Sequence, residues 1–94
     1  MRLEVKAEAQ SDLRDIAAYI ARDNASRAIS FVDELIETMW KVAERPLSFP
    51  ARDEWRPNLR AARHGSYYIV FQVVGDLVEI VRVLHGARDI EGLF

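Results

Sequence analysis

The first half of the chain repeats hydrophobic residues with the period of an α-helix. One apolar stripe predicts a helix from about Ala7 to about Arg22, formed by Ala9, Leu13, Ile16, Ala17 and Ile20. Asn24 suits the N-cap of a second helix, because its side-chain oxygen can accept a hydrogen bond from the first turn. The stripe of this second helix consists of Ala28, Val32, Leu35, Met39 and Val42.

The second helix carries more apolar residues than one stripe requires. They are Ile29, Phe31, Ile36 and Trp40, and they widen the apolar face. A helix that is apolar on more than one side is expected to contact two neighbours. We therefore expect the two helices to form a hairpin that lies on a sheet.

The period changes to two after a loop that contains all three prolines, Pro46, Pro50 and Pro57. Alternation and β-branched or aromatic residues predict strands at Leu59–Arg63, Tyr67–Val74 and Leu77–Leu84, after a first short strand at Arg2–Lys6. The segments His64–Ser66 and Gly75–Asp76 are the predicted turns.

Strict alternation also assigns side chains to the two faces of the sheet. Tyr67 and Phe71 share their parity with Ile69 and Val73 and are expected under the helices, which leaves Tyr68 as the exposed aromatic residue. In the last strand, one face is predicted to hold Val78, Ile80, Arg82 and Leu84, and the other Glu79, Val81 and Val83.

The element order β-α-α-β-β-β predicts an α+β fold, in which the helical hairpin covers one face of a mainly antiparallel four-stranded sheet. At 94 residues, we expect one domain over residues 1–94. The tail from Gly86 to Phe94 is too short for another major element.

The amino-acid composition excludes several kinds of catalytic and metal-binding site. The absence of cysteine excludes disulfides, thiolate nucleophiles and thiolate metal sites, and two histidines cannot form a three-histidine site. A net charge of −2 disfavours nucleic acid as a direct partner. No metal-ligand spacing or glycine-rich phosphate loop is present, so we expect no metal and no cofactor. Without an apolar run at the start or of membrane-spanning length, the protein is expected to be soluble and cytoplasmic.

The most distinctive segment is the run from Arg82 to Asp89. In its simplest interpretation, His85 ends the strand, Gly86 turns the chain, and Arg88 pairs with Asp89 or Glu91 at the surface. Four arginines on the sheet or its edges could also converge on a phosphate or a carboxylate: Arg60, Arg63, Arg82 and Arg88. Arg60 and Arg63 have opposite strand parity, so at most one of them shares a face with Arg82 unless a bulge intervenes. The carboxylates of the first helix, Glu8, Asp12 and Asp15, are predicted to face solvent.

The chain resembles the ParE branch of the ParE/RelE toxin superfamily over nearly its whole length. The most specific part of the resemblance is the closing run Arg82-Val83-Leu84-His85-Gly86-Ala87-Arg88-Asp89. The other matching residues are Asp12-Leu13, Ile16, Tyr19-Ile20, Ala28, Phe31, Pro46, Leu59-Arg60 and the strand with Tyr67, Ile69 and Phe71. The resemblance implies the toxin of a bacterial type II toxin–antitoxin pair, held inactive by a ParD-like antitoxin.

ParE-like toxins poison DNA gyrase when free, so the resemblance implies a protein that acts by binding rather than as an enzyme. Operator DNA would then be contacted only through the antitoxin. An alternative is a RelE-type ribosome-dependent mRNA endonuclease, with Arg60, Arg82, His85 and Arg88 as its residues. The acidic net charge and the lack of a tyrosine after Tyr68 favour the ParE interpretation. A third possibility is a degenerate toxin that only binds antitoxin.

Two surfaces follow as hypotheses. Surplus apolar residues predict an antitoxin contact at Ile36, Met39, Trp40 and Phe49. The end of the last strand and the tail predict a toxicity surface for contact with gyrase, formed by His85, Arg88, Asp89, Leu93 and Phe94.

Overall fold

A computed structural model describes all residues from Met1 to Phe94. It contains two α-helices, four strands and two short 3₁₀ turns, in the predicted order. The elements are β1 (Arg2–Val5), α1 (Ala7–Ala21), α2 (Ala25–Glu44), a 3₁₀ turn (Pro46–Ser48), β2 (Arg60–His64), β3 (Tyr67–Val74), β4 (Leu77–His85) and a second 3₁₀ turn (Glu91–Leu93). Neither helix is both long and apolar enough to cross a membrane.

The observed helix boundaries agree closely with those predicted from the sequence. Asn24 caps α2 as predicted, because its side-chain oxygen accepts a hydrogen bond from the Arg27 N–H at 3.0 Å. The helices pack side by side as the predicted hairpin. His64, expected in a turn, is the last residue of β2, and His85 extends β4 by one residue beyond the predicted end.

The four strands form one mixed sheet in the order β1-β4-β3-β2. The pairs β2–β3 and β3–β4 are antiparallel, whereas β1 lies parallel to β4. The predicted helical hairpin on a mainly antiparallel sheet is therefore confirmed. β1 supports β4 only as far as Ile80, since Lys6 donates its N–H to the Ile80 carbonyl and α1 starts at the next residue.

The main core lies between the hairpin and the inner face of the sheet. Its buried residues are Ala9, Ile16, Phe31, Leu35, Met39, Val42, Ala62, Ile69, Phe71, Val78, Ile80 and Val83. The predicted placement of Phe71 beside Ile69 under the helices is confirmed, and Tyr67 and Val73 pack against the same core. The helix α2 contacts both α1 and the sheet, but Ile29, Ile36 and Trp40 on its wider apolar face are exposed.

A β-bulge in β4 overturns the predicted alternation of that strand. Phe71 pairs with Ile80, but the preceding residue Val70 pairs with Arg82, so Val81 is an extra residue. A single extra residue exchanges the faces of everything that follows it. Val83 therefore packs in the main core, and Leu84 packs on the opposite face of the sheet, the reverse of the prediction.

The outer face of the sheet is partly covered by a second apolar group, which we call the outer cluster. Leu59, Val70, Leu84 and Ile90 are its buried members, and Trp55, Tyr68, Val81 and Phe94 pack against them. Tyr68, expected to be exposed, is half-buried with its ring 5.5 Å from that of Trp55. The tail thus contributes to packing even though it forms only one short turn.

Candidate functional site

The ends of β3 and β4 bring Tyr67 and His85 together. The two residues are register partners, and their rings lie edge to face at 5.1 Å. The bulge at Val81 places His85 on the same side of the sheet as Val83, facing the helices. On that side, Phe31 of α2 lies 5.6 Å from the Tyr67 ring.

These rings form part of a concave surface, which we call the Tyr67–His85 cleft. It consists of two adjoining depressions of about 560 Å³ and about 200 Å³ that share Tyr19, Tyr67 and His85. The larger depression extends to Arg27 and the Gly65–Ser66 turn, and the smaller one extends to Arg88. Burial raises the pKa of the Tyr67 hydroxyl, and the nearby Tyr19 hydroxyl raises it further.

A buried ion pair holds β4 against α1 beside the cleft. The Asp12 carboxylate accepts hydrogen bonds from Nε and Nη2 of Arg82 at 2.8 and 2.9 Å, and from the Val83 N–H at 2.8 Å. The carboxylate thereby satisfies an edge amide beyond the point where β1 ends. The same hydrogen bonding raises the pKa of Arg82.

The prediction that Asp12 faces solvent is therefore wrong, whereas Glu8 and Asp15 are exposed as expected. A signal for the burial of Asp12 was present in the sequence. Asp12 lies three residues after Ala9 and four before Ile16, which places it on the same face of α1 as these two core residues.

His85 and Arg88 carry the free polar groups at this end of the cleft. The His85 ring is oriented by its Nδ1, which accepts a hydrogen bond from the Ala87 N–H at 3.0 Å. Arg88 is exposed and forms no ion pair, so its expected pairing with Asp89 or Glu91 is wrong. Asp89 instead accepts a hydrogen bond from the Gly92 N–H at 3.3 Å.

At the other end, a charged network joins α2 to β2. Glu34 binds the Arg27 guanidinium and also contacts Nε2 of His64 at 2.8 Å. Arg27 and then His64 lower the pKa of the Glu34 carboxyl by hydrogen bonding. The Arg27 guanidinium carbon also lies 5.1 Å from the centre of the Phe31 ring, so this network borders the floor of the cleft.

The five residues proposed for toxicity do not form one surface. His85 and Arg88 line the cleft, whereas Phe94 packs with the outer cluster on the other side of the sheet. The Arg56 guanidinium lies 5.3 Å from the Phe94 ring, and Leu93 and Asp89 are exposed on the same tail.

The four residues proposed for antitoxin contact also differ in accessibility. Trp40 and Ile36 are exposed on α2, with 57% and 40% of their surface accessible. Met39 is fully buried and offers no surface to a partner. Phe49 is half-buried, with its ring packed edge-on against Phe71 at 6.1 Å.

Arg60 lies apart from the other residues of the alternative ribonuclease site, and Arg82 is already bound. Arg60 donates from Nη1 to the Phe49 carbonyl at 2.7 Å, and Arg82 is bound to Asp12. Arg60 pairs with Phe71, four residues along β3 from Tyr67, which separates it from His85 by about 13 Å along the sheet. No group of three histidine or acidic side chains is arranged to hold a metal ion.

Of the residues that line the cleft, sequence reasoning proposed His85 and Arg88 as site residues but not Tyr19 or Ser66. These two residues lie on α1 and in the β2–β3 turn, and only the packed fold brings them beside β4. Tyr19 is among the residues that carry the family resemblance but has no predicted role in a site, and nothing in the sequence around Ser66 distinguishes it from an ordinary turn residue.

The architecture is one already known from a solved structure. The chain superimposes with a TM-score of 0.77 on a chain described as belonging to the chromosomal ParDE TA system from P. aeruginosa. The alignment covers 90% of this chain and 95% of the other at 20% sequence identity, a level at which the likeness describes the fold alone.

Sequence comparison then shows the family. A model of the ParE toxin of the type II toxin–antitoxin system parDE matches residues 3–90. Toxin ParE1 of Caulobacter vibrioides is 37% identical over 82 residues, which cover 86% of this chain and 84% of that protein. The chain belongs to the ParE toxin family, as the resemblance of its closing run predicts.

Proposed function

We propose that the protein, when free, inhibits DNA gyrase by binding it in the cytoplasm, and that a ParD-like antitoxin neutralises this activity. The match to the ParE toxin model over residues 3–90 carries the proposal. Action by binding is supported by two observations on the arginines that would have to hold a phosphodiester: Arg60 donates to the Phe49 carbonyl away from His85, and Arg82 is bound to Asp12.

The direct test is a DNA supercoiling assay with purified gyrase and antitoxin-free toxin. We expect the toxin to inhibit supercoiling, and an equimolar amount of its antitoxin to restore the reaction. Full gyrase activity at a stoichiometric excess of folded toxin would refute the proposed target.

Two further measurements address the alternatives. Primer extension on cellular mRNA after induction would reveal codon-positioned cleavage if the protein were a RelE-type endonuclease. Expression of the toxin alone, without growth arrest, would support a degenerate antitoxin-binding module instead.

We place the antitoxin contact on the exposed apolar face of α2. Ile29, Ile36 and Trp40 are exposed there, and an amphipathic segment of a partner could cover them. The fold match is to a chain of a ParDE system, which supports a partner of the ParD type. Met39 is left out of this surface because it is buried.

Co-purification with tagged antitoxin tests this placement. We expect Trp40→Ala and Ile36→Ala each to weaken binding by about tenfold, in the range for truncating an interface anchor. Leu47→Ala removes an exposed apolar side chain outside the helical hairpin and is the matched control. Phe49→Ala needs a parallel stability measurement because Phe49 packs on Phe71. Unchanged binding by both Trp40→Ala and Phe49→Ala would show that the antitoxin binds at another surface.

A further inference from the structure

We propose that the Tyr67–His85 cleft is the surface with which the toxin binds its target, and that the cleft receives a peptide segment of that protein bearing an apolar side chain next to a carboxylate. The inference rests on the proposed function in so far as gyrase is that target. The shape of the cleft, its free hydrogen-bond donors and its separation from the exposed face of α2 support it.

The floor of the cleft is suited to an apolar anchor. Ile16, Ile20, Phe31 and Val83 contribute apolar surface beneath the rings of Tyr67 and His85. Concave apolar sites with a few convergent polar groups are the usual form of binding sites. Tyrosine and arginine side chains dominate the energetics of many interfaces, and both residue types border this floor.

The rim of the cleft offers donors that no protein group uses. The hydroxyls of Tyr19 and Tyr67, Nε2 of His85 and the guanidinium of Arg88 have no hydrogen-bond partner within the chain, although the other ring nitrogen of His85 binds the Ala87 N–H. A carboxylate on the partner would accept from several of these donors, and its bond to Arg88 would be charge-assisted.

Acidic groups beside the cleft do not satisfy these donors. Asp12 already accepts three hydrogen bonds from Arg82 and Val83. Glu34, at the opposite end, is engaged by Arg27 and His64. Asp15 is exposed at the margin of the smaller depression and has no ion pair. A partner carboxylate at this end would therefore bind Arg88 directly, on the side of the guanidinium away from the exposed Asp15 carboxylate that lines the same depression.

The occupant is assigned to the target rather than to the antitoxin. The exposed apolar residues proposed for the antitoxin, Ile29, Ile36 and Trp40, do not line the cleft. Two separate surfaces allow the two partners to be distinguished by mutation.

The test compares growth arrest, gyrase inhibition, antitoxin binding and thermal stability for variants on exposed side chains. Arg88→Glu reverses the charge at one end, and Tyr19→Ala removes a side chain that is 67% exposed. Both should fold normally. Arg14→Glu is the matched control, because Arg14 is an exposed α1 arginine without an ion pair that does not line the cleft.

We expect both cleft variants to need at least about tenfold more toxin for the same growth arrest and the same inhibition of gyrase, as for other anchor residues. Arg88→Lys keeps the charge and should lose less activity than Arg88→Glu. Antitoxin binding and melting temperature should match the wild type, and Arg14→Glu should retain full toxicity.

Several results would overturn the proposal. Growth arrest by Arg88→Glu and Tyr19→Ala at wild-type doses would show that the cleft does not bind the target. Loss of antitoxin binding by the same variants would assign the cleft to the antitoxin. If the wild type arrests growth without inhibiting gyrase, the proposed target is wrong, and growth arrest by the variants still decides the role of the cleft. A wild type that does not arrest growth would overturn both proposals.

Discussion

Asp12 is the residue that we expect to stabilise the contact between α1 and β4 most strongly. Substitution by alanine would leave the Arg82 guanidinium and the Val83 N–H without their acceptor at a largely buried position. We expect Asp12→Ala to lower the free energy of unfolding by about 2–4 kcal/mol, in line with broken buried ion pairs. Urea denaturation measures this loss.

A second variant separates the contribution of the ion pair to stability from that of the hydrogen bond donated by the Val83 N–H. Asp12→Asn keeps an oxygen that can accept from the Val83 N–H but removes the charge facing Arg82. It should be more stable than Asp12→Ala, and combining Asp12→Ala with Arg82→Met should recover part of the loss. If Asp12→Ala unfolds at the wild-type urea concentration, the pair contributes nothing to stability.

Glu34 gives the protein a predictable response to acid. Arg27 and His64 lower its pKa below the usual 4.5 in the folded state, so folding favours the ionised carboxylate. This stabilisation is complete above about pH 4.5 and is lost as the pH falls through the lowered pKa. The stability difference between wild type and Glu34→Gln should therefore be largest at neutral pH and shrink on acidification.

Urea midpoints measured at a series of pH values would show this convergence. Glu44→Gln removes an exposed carboxylate of the same helix that has no ion pair, and it controls for the change in net charge. A constant difference between wild type and Glu34→Gln down to pH 2 would contradict the assignment.

At the scale of elements, the tail is the segment whose role changes most once the fold is known. Ile90 is buried in the outer cluster and Phe94 packs against it. Truncation after Asp89 removes both and should cost about 2–4 kcal/mol, the range for losing a buried aliphatic side chain. Truncation after Ile90 keeps the buried residue and should cost less.

Thermal melting of the two truncated chains measures the difference. Equal melting temperatures would show that Ile90 contributes no packing energy. A loss of toxicity in the shorter chain would reflect unfolding as well as lost contacts, so Leu93→Ala is the better probe of the tail as a binding surface.

The helices were predictable because their signals are local. The 3.6-residue period and the capping side chain of Asn24 both act within one turn of their own position. The bulge at Val81 was not predictable, because the extra residue is defined only by its pairing with β3. Leu84 and Val83 were consequently assigned to the wrong faces.

The outer cluster escaped prediction for a related reason. Trp55, Ile90 and Phe94 are isolated apolar residues in segments without a period, and they meet only because the loop before β2 and the tail fold over the same face. Among the residues that line the cleft, His85 and Arg88 were indicated by the closing run of the sequence. Tyr19 is far from them in sequence and could not be associated with them without the tertiary structure.

At the scale of the whole molecule, a single sheet is shared by two apolar groups. Neighbouring residues of β3, such as Ile69 and Val70, belong to the main core and the outer cluster respectively. Neither group can lose its packing without disturbing the strand that carries the other. We therefore expect the two faces to unfold in one cooperative transition.

The two tryptophans make this expectation measurable. Trp40→Phe leaves Trp55 as the only tryptophan, and Trp55 reports on the outer cluster. Its fluorescence and the far-ultraviolet circular dichroism should show the same urea midpoint. An earlier fluorescence change would indicate that the outer cluster opens independently.

The extra residue at Val81 also has a consequence for how this protein can diverge. The face on which His85 lies is set by its pairing with Tyr67 of β3, so codon substitutions along β4 change side chains without changing the side of the sheet that each residue faces. Val81 has no partner of its own on β3, because Phe71 pairs with Ile80 and Val70 pairs with Arg82. Deletion of the Val81 codon would therefore restore strict alternation and leave Val83, Leu84 and His85 on the faces they now occupy. Descendants of this chain can therefore lose the extra residue while keeping His85 on the side of the sheet that faces the helices.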